Sequence, residues 1–136
     1  MQNLSVSLKS VASLIPLDML TTNPDIDPCK LSGVGASYGI VEGPCTIIRN
    51  LKDLHTLQEG AILVCEAATP ELAPFMPFLK GLVAQRGGLL SIASGYAREY
   101  RIPAVVGVEG LMDAVRDGDV IRLDGSTGTV DIVARG

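Results

Sequence analysis

The sequence predicts an α/β domain: a mixed β-sheet with helices packed on it. Ala61 to Cys65 is a short, wholly apolar run of the kind that forms a strand buried on both faces. Between residues 61 and 115, strand-like and helix-like stretches alternate. Hairpin-type stretches flank that middle on both sides, which mixes antiparallel pairing into the sheet.

In chain order, residues 1–30 form an N-terminal extension. Leu8, Val11, Leu14 and Ile15 share one helical face, and Pro16 ends the pattern. Asn23-Pro24 and Asp27-Pro28 mark a linker. This extension suits either a short docking helix on a tether or a helix folded back on the domain, which then spans residues 31–136. From Leu31 a small-residue stretch with Gly33, Gly35 and Gly39 runs into Ile40-Val41. Gly43-Pro44 reads as a turn and Cys45 to Ile48 as a second strand, so a hairpin is expected. Leu51 to Gly60 is polar and loop-like. Thr69 suits an N-cap, Pro70 the first helical position and Glu71 the positive end of the helix dipole, while Pro74 and Pro77 keep that helix short or irregular. A strand at Gly81 to Ala84, a helix at Ser91 to Tyr100, a strand at Ala104 to Val106 and a short helix at Leu111 to Val115 follow. Val120 to Leu123 and Thr129 to Val133 close the chain as a hairpin around Asp124-Gly125.

The bulk composition excludes several functions. The 136 residues are 47% hydrophobic and 19% charged, enough for one domain with a real core. A net charge of -4, aromatics at 4% and no Trp argue against nucleic acid, which needs a basic face and stacking platforms. Cys29, Cys45 and Cys65, spaced by 16 and 20 residues, form neither a zinc pair nor a disulfide framework and read as reduced thiols. No apolar run approaches the roughly 20 residues needed to span a bilayer. Val11 to Leu20 looks faintly like the apolar core of a signal peptide, but Pro16 and Asp18 interrupt it. A cytoplasmic protein that binds no membrane is expected. Asp113, Asp117, Asp119 and Asp124 suit turns better than a metal site, and neither metal nor cofactor is expected.

The information is concentrated between Gly81 and Gly107. A strand delivers the chain to Gln85-Arg86, Gly87 and Gly88 permit backbone angles that other residues resist, and Ser91 is an apt N-cap. A glycine turn feeding a helix start gathers N–H groups and the positive end of a dipole, the makings of an anion site. Thr69, Arg86, Gly87, Gly88 and Ser91 are the candidates to contact an anion. Leu89, Leu90 and Ile92 make the same helix start unusually apolar, suited either to core packing or to a protein contact.

The run GLVAQRGGLLSIASGYAREYRIPAVVG resembles the signature of the phosphoenolpyruvate-utilising mobile domain, the phosphohistidine swivelling domain of pyruvate phosphate dikinase and phosphoenolpyruvate synthase. Gly35 to Gly39, Ala61-Ile62-Leu63-Val64 with Thr69-Pro70, and Asp117-Gly118-Asp119 through Gly128 fit the same pattern, so the likeness runs over about residues 31–133. It implies a swivelling three-layer β/β/α architecture. It also implies that the residue two beyond Leu90 should be the phosphoacceptor histidine, whose ring nitrogen attacks phosphorus and later leaves. Ile92 stands there and has no lone pair to offer, so no catalytic residue is expected. Leu90 departs from a small or hydroxylic residue. Ser94-Gly95 departs from an aliphatic pair; its small side chains would admit another backbone, although Gly in a helix costs about 1 kcal/mol relative to Ala. His55, the only histidine, lies in the 51–60 stretch. Ser91 has no evident base, and Cys65 is a poor phosphocarrier.

Three functions follow from the likeness. The first is a free-standing swivelling module, docking or regulatory, whose partner is related to the nucleotide-binding or phosphoenolpyruvate-binding domains of those enzymes. The second is a subunit of a split phosphotransferase whose histidine comes from another chain. The third is the swivelling subunit of a dehydratase-like enzyme, for which Leu89-Leu90 is a poor substrate loop.

Overall fold

A computed structural model describes residues 29–136; the helix expected at residues 8–15 and the linker at 21–28 lie outside them. Eight strands, β1 Lys30–Ser32, β2 Val34–Ser37, β3 Ile40–Ile48, β4 Ala61–Cys65, β5 Leu79–Ala84, β6 Ala104–Val106, β7 Val120–Asp124 and β8 Thr129–Ala134, lie in the order β1-β8-β7-β3-β4-β5-β6-β2. Two α-helices, α1 Ile92–Tyr100 and α2 Leu111–Ala114, and two 3-10 helices, Leu51–Thr56 and Pro70–Phe78, complete the described elements.

Strand β3 belongs to two half-sheets. Its first five residues pair antiparallel with β7, from Ile40 opposite Asp124 to Pro44 opposite Val120. Its last four pair parallel with β4, from Cys45 opposite Ile62 to Ile48 opposite Cys65. Beyond β4 the pairing stays parallel through β5 and β6, and β2 closes that side antiparallel to β6. Beyond β7, antiparallel β8 and β1 close the other.

The buried side chains resolve this sheet into layers. On β4, Ile62 and Val64 face one way, joining Val83 and Val105 against Ile121, Leu123, Val130 and Ile132 of the antiparallel half. Leu63 and Cys65 face the other way, joining Leu82, Ala104 and Val106 against Ala93 and Ala97 of α1 and Leu54, Leu72 and Met76 of the 3-10 helices. The antiparallel half therefore lies across one face of the parallel half, where Leu111 of α2 also packs, and α1 with the two 3-10 helices lies across the other, giving a β/β/α stack. Strand β4 is buried at every residue, as its unbroken apolar run predicts.

The expected turn at Gly43-Pro44 is not there: β3 runs straight through it. Val41, Cys45 and Ile47 keep one phase across the Gly-Pro and pack into the same core. A tight turn would have broken that two-residue period. Proline has no N–H to give a ladder, and Pro44 sits at the last position of the antiparallel ladder, where the strand changes partner. The residues expected to loop from 51 to 60 instead open with a 3-10 helix. Asn50 and Asp53 exchange a capping box there: the Asn50 side chain accepts from Lys52 N–H (3.0 Å), and Asp53 Oδ2 accepts from Asn50 N–H (3.2 Å). Thr69 precedes the 70–78 helix, but its side chain makes no cap to the backbone; it bonds the Glu71 carboxylate, which holds that group below its ordinary pKa.

Where β3 leaves β7, the Asp117-Gly118-Asp119 turn takes over its free edge. Cys45 N–H donates to Asp119 O (2.9 Å), Gly118 N–H to Cys45 O (2.9 Å), and Ile47 N–H to Asp117 Oδ1 (2.8 Å). Asp119 is 1% exposed and accepts from Arg116 N–H (2.9 Å), Gly136 N–H (3.0 Å) and Arg135 Nη1 (2.6 Å). Burial alone would raise its pKa, but these three donors outweigh it and hold the carboxyl below its ordinary 3.8. Asp117 and Asp119 are thus turn and edge acceptors, and Asp124 likewise accepts from Ser126 and Thr127 N–H. Among the described residues no three His, Cys, Asp or Glu side chains gather to hold a metal, and no helix is long and apolar enough to cross a membrane.

A carboxylate whose folded pKa is depressed stabilises the fold above its unfolded pKa and loses that contribution as pH falls through the folded value. The Asp119→Asn variant is therefore expected to lose stability at neutral pH, about 1–3 kcal/mol by urea denaturation. Its acid limb below about pH 4 should also be shallower than the wild type's. An unchanged acid limb would exclude Asp119 as its source.

Candidate functional site

The carboxyl edge of the parallel strands is where an α/β sheet presents its loops to a ligand. At that edge the pairing of β5 with β4 continues past both strand ends: Gln85 N–H donates to Cys65 O (3.0 Å) and Arg86 N–H to Glu66 O (2.8 Å). Arg86 Nε then pairs with Glu66 Oε2 at 3.1 Å, both side chains largely exposed. Such a surface pair adds little stability, but it ties the loop after β4 to the turn after β5. Gln85 Oε1 meanwhile accepts from Met112 N–H (2.8 Å), fastening the same turn to α2.

Of the two glycines only Gly87 is required. Its φ is +120°, and a Cβ there would lie 2.8 Å from Ser91 Oγ. Gly88 has no positive φ, and nothing stands within 4 Å of a Cβ built on it. What matters at residue 88 is the carbonyl. It accepts from Ser91 N–H (3.0 Å), Ser91 Oγ (2.8 Å) and Ser94 Oγ (2.6 Å), a hub that bolts the turn to the first turn of α1. Ser91 Oγ also accepts from Ser94 N–H (3.4 Å), so it caps the helix as expected. Ser94 is fully buried, and its hydroxyl serves the hub. Gly95 is exposed, with open space around it and no backbone close by, so the expected close approach does not occur at that residue.

The same turn is held from its far side. Arg98, in the last turn of α1, donates from Nη2 to Leu89 O (2.7 Å) and from Nη1 to Ala36 O in β2 (3.3 Å). Neither Ser94 nor Arg98 stood out as a site residue in the sequence, because backbone carbonyls as partners leave no pattern in side-chain spacing.

The backbone so fixed projects three apolar side chains. Leu90 is 99% exposed, Leu89 54% and Ile92 45%, which removes core packing as their explanation. The structure thus brings Arg86, Gly87, Gly88, Leu89, Leu90, Ser91 and Ile92 together. Thr69 stands apart, in a depression of about 350 Å³ with Ile48, Asn50 and Glu66, and Glu66 pairs with Arg86 of the turn. His55 is exposed on the last turn of the 51–56 helix. Cys65 ends β4 fully enclosed, and burial pushes its thiol up to about 12. Burial, then the charges of Asp119 and Asp117, push Cys45 up to about 11. Neither thiol is a nucleophile near neutral pH.

The fold and this glycine-turn edge define a β/β/α domain with a strand–glycine turn–helix unit at the carboxyl edge of its parallel strands. A family model, "PEP-utilising enzyme, mobile domain", matches residues 57–128, more than half of the chain, and the chain belongs to that family. It is 41% identical over 103 residues to the uncharacterized phosphotransferase YvkC of Bacillus subtilis, covering 76% of this chain and 12% of that protein. It is 40% identical over 100 residues to the rifampicin phosphotransferase of the same organism, covering 74% of this chain and 11% of that protein. Among solved structures, an Enzyme I protein aligns with a TM-score of 0.52 at 29% identity, over 59% of this chain and 33% of that one. The chain spans about an eighth of the length of these two curated relatives.

The three glycines give a graded expectation. Gly87→Ala should cost more than ~1 kcal/mol, because Ala resists that φ and its Cβ meets Ser91. Gly88→Ala should be close to neutral, and Gly95→Ala should stabilise by about 0.5–1 kcal/mol. Urea unfolding of the three variants followed by circular dichroism checks the order; equal losses at residues 87 and 88 would contradict it.

Proposed function

We propose that this chain is a phosphoenolpyruvate-type mobile domain that works as a docking or regulatory module rather than as a phosphoryl carrier. Ile92 stands where the family places its phosphoacceptor histidine. The observation that carries the reading is the exposure of Leu90, Leu89 and Ile92 at a turn whose backbone is held from both sides. Fully burying a leucine side chain is worth about 1.5–3 kcal/mol, so a partner with a matching apolar recess gains several kcal/mol from a preformed knob without having to order it first. The partner best suited is a nucleotide-binding or phosphoenolpyruvate-binding domain related to those of phosphoenolpyruvate synthase, since relatives of the chain are long proteins carrying phosphotransferase names. Arg86, Gly87, Gly88 and Ser91 are the residues that an anion at this turn would meet. In this reading a phosphate on the partner is sensed by Arg86 and the helix start and is not accepted.

The 41% identity to a protein that carries a phosphotransferase name favours a second reading, a phosphotransferase component whose histidine lies on another chain.

Incubation with labelled phosphoenolpyruvate or ATP and a phosphoenolpyruvate synthase tests both. We expect no acid-labile label on the wild-type chain and a gain of label on the Ile92→His variant. Label on a separate chain, dependent on this one, would favour the split enzyme. Label on the wild-type chain, lost in His55→Ala, would sink the docking proposal. Leu90→Asp is expected to weaken partner binding at least about tenfold, ~1.4 kcal/mol, by titration calorimetry.

A further inference from the structure

Beside the apolar knob lies a groove of about 570 Å³ between β2, α1 and the β7–β8 turn. Its volume falls within the range of about 300–1,000 Å³ usual for small-molecule sites, but its walls do not enclose: Tyr38 on its rim is 85% exposed. Two basic residues line it, Arg98 and Arg101, with Ser37 and Ser126, and no lining residue is acidic. On a chain of net charge -4 that local balance is the reverse of the whole. The adjacent carboxylate of Asp124 is turned to the N–H groups of Ser126 and Thr127.

The backbone at Arg101 points the same way. It closes α1 with φ 57° and ψ 44°, the only non-glycine residue with positive φ among those described. That left-handed cap position favours Gly, and a side chain there carries a steric cost. An arginine stands where glycine would be free of that cost, and the residue lines the groove. Strain of this kind is a pointer to a role outside folding. Leu89 connects the two surfaces: it lines the groove, and its carbonyl is held by Arg98, which lines the groove as well.

We infer that this groove seats an acidic segment of the protein partner, with carboxylates against Arg98 and Arg101 and an apolar side chain between Tyr38 and Leu89. The inference rests on the docking role proposed above and extends its footprint. An open groove rich in Tyr and Arg has the composition of an interface hot spot, whereas a small ligand would be left mostly in water. Arg98 already uses donors on two carbonyls, so it is preorganised, and Arg101 supplies the mobile charge. Recognition of this kind depends on salt.

Three fluorescein-labelled peptides of about 12 residues, alike in a central Leu and flanked by Glu, Gln or Lys, provide the probe. By fluorescence anisotropy with the full chain, we expect the Glu peptide alone to bind, and several-fold more weakly as NaCl rises from about 50 to about 300 mM. The informative variant is Arg101→Gly. It should raise Tm by a few degrees, because the cap strain is relieved, while weakening the Glu peptide about tenfold or more. Equal binding of the Glu and Gln peptides, or wild-type affinity in Arg101→Gly, would overturn the inference. So would saturable phosphoenolpyruvate binding that is lost in Arg101→Gly without any Glu-peptide binding, which would assign the groove to a small anion. Because no peptide tests Leu90 or Ile92, failure here leaves the docking reading to its own phosphorylation and Leu90→Asp tests.

Discussion

The molecule depends on one strand being shared. Strand β3 cannot pair with β7 along its whole length and still let the antiparallel half fold across the parallel half, so it changes partner between Pro44 and Cys45. The cost of such a change is a row of backbone groups with no ladder. A buried N–H left unpaired loses about 1–3 kcal/mol, and two of them, at Cys45 and Ile47, would offset much of a small domain's net stability. The Asp117-Gly118-Asp119 turn supplies the missing acceptors, one from a backbone carbonyl and one from a carboxylate. The buried Asp119 then fixes the turn through Arg116, Arg135 and Gly136. Everything that the parallel half presents at its carboxyl edge, the glycine turn included, stands on this junction.

At that edge a second economy operates. One carbonyl, Gly88 O, takes three donors from the start of α1, and Arg98 holds the neighbouring carbonyl at Leu89. Residue 88 contributes a backbone oxygen and residue 87 a backbone angle, although the two look equivalent in the sequence as a Gly-Gly pair.

Much of this was legible in the residues and some was not, for physical reasons. The buried strand at 61–65 and the helix capped by Ser91 are encoded in local composition and in a side-chain cap, so they read directly. Gly43-Pro44 misleads because Gly and Pro report what a backbone can do, whereas the unbroken phase of Val41, Cys45 and Ile47 reports what the core demands. The tertiary signal won, and it was present in the sequence. The 51–56 helix hid behind polar side chains because it is held by a capping box more than by an apolar stripe, burying only Leu54. The Gly88 hub and the groove at Arg101 were not legible at all. The first is made of carbonyl acceptors and the second of residues 38, 98, 101 and 126, which only the topology brings together.

The arrangement also explains how a phosphotransferase scaffold can carry an isoleucine at its helix start. None of the bonds that fix the turn involves the side chain of residue 92: Ser91 and Ser94 close on Gly88 O, Arg98 holds Leu89 O, and Gly87 provides the bend. Ile92 is the first residue of α1, half out in solvent, so the fold neither requires a particular group there nor is harmed by an aliphatic one. A β-branched residue costs a helix only a fraction of a kcal/mol. The fold therefore leaves the identity of residue 92 open, and an isoleucine there, beside Leu89 and Leu90, adds to an exposed apolar patch.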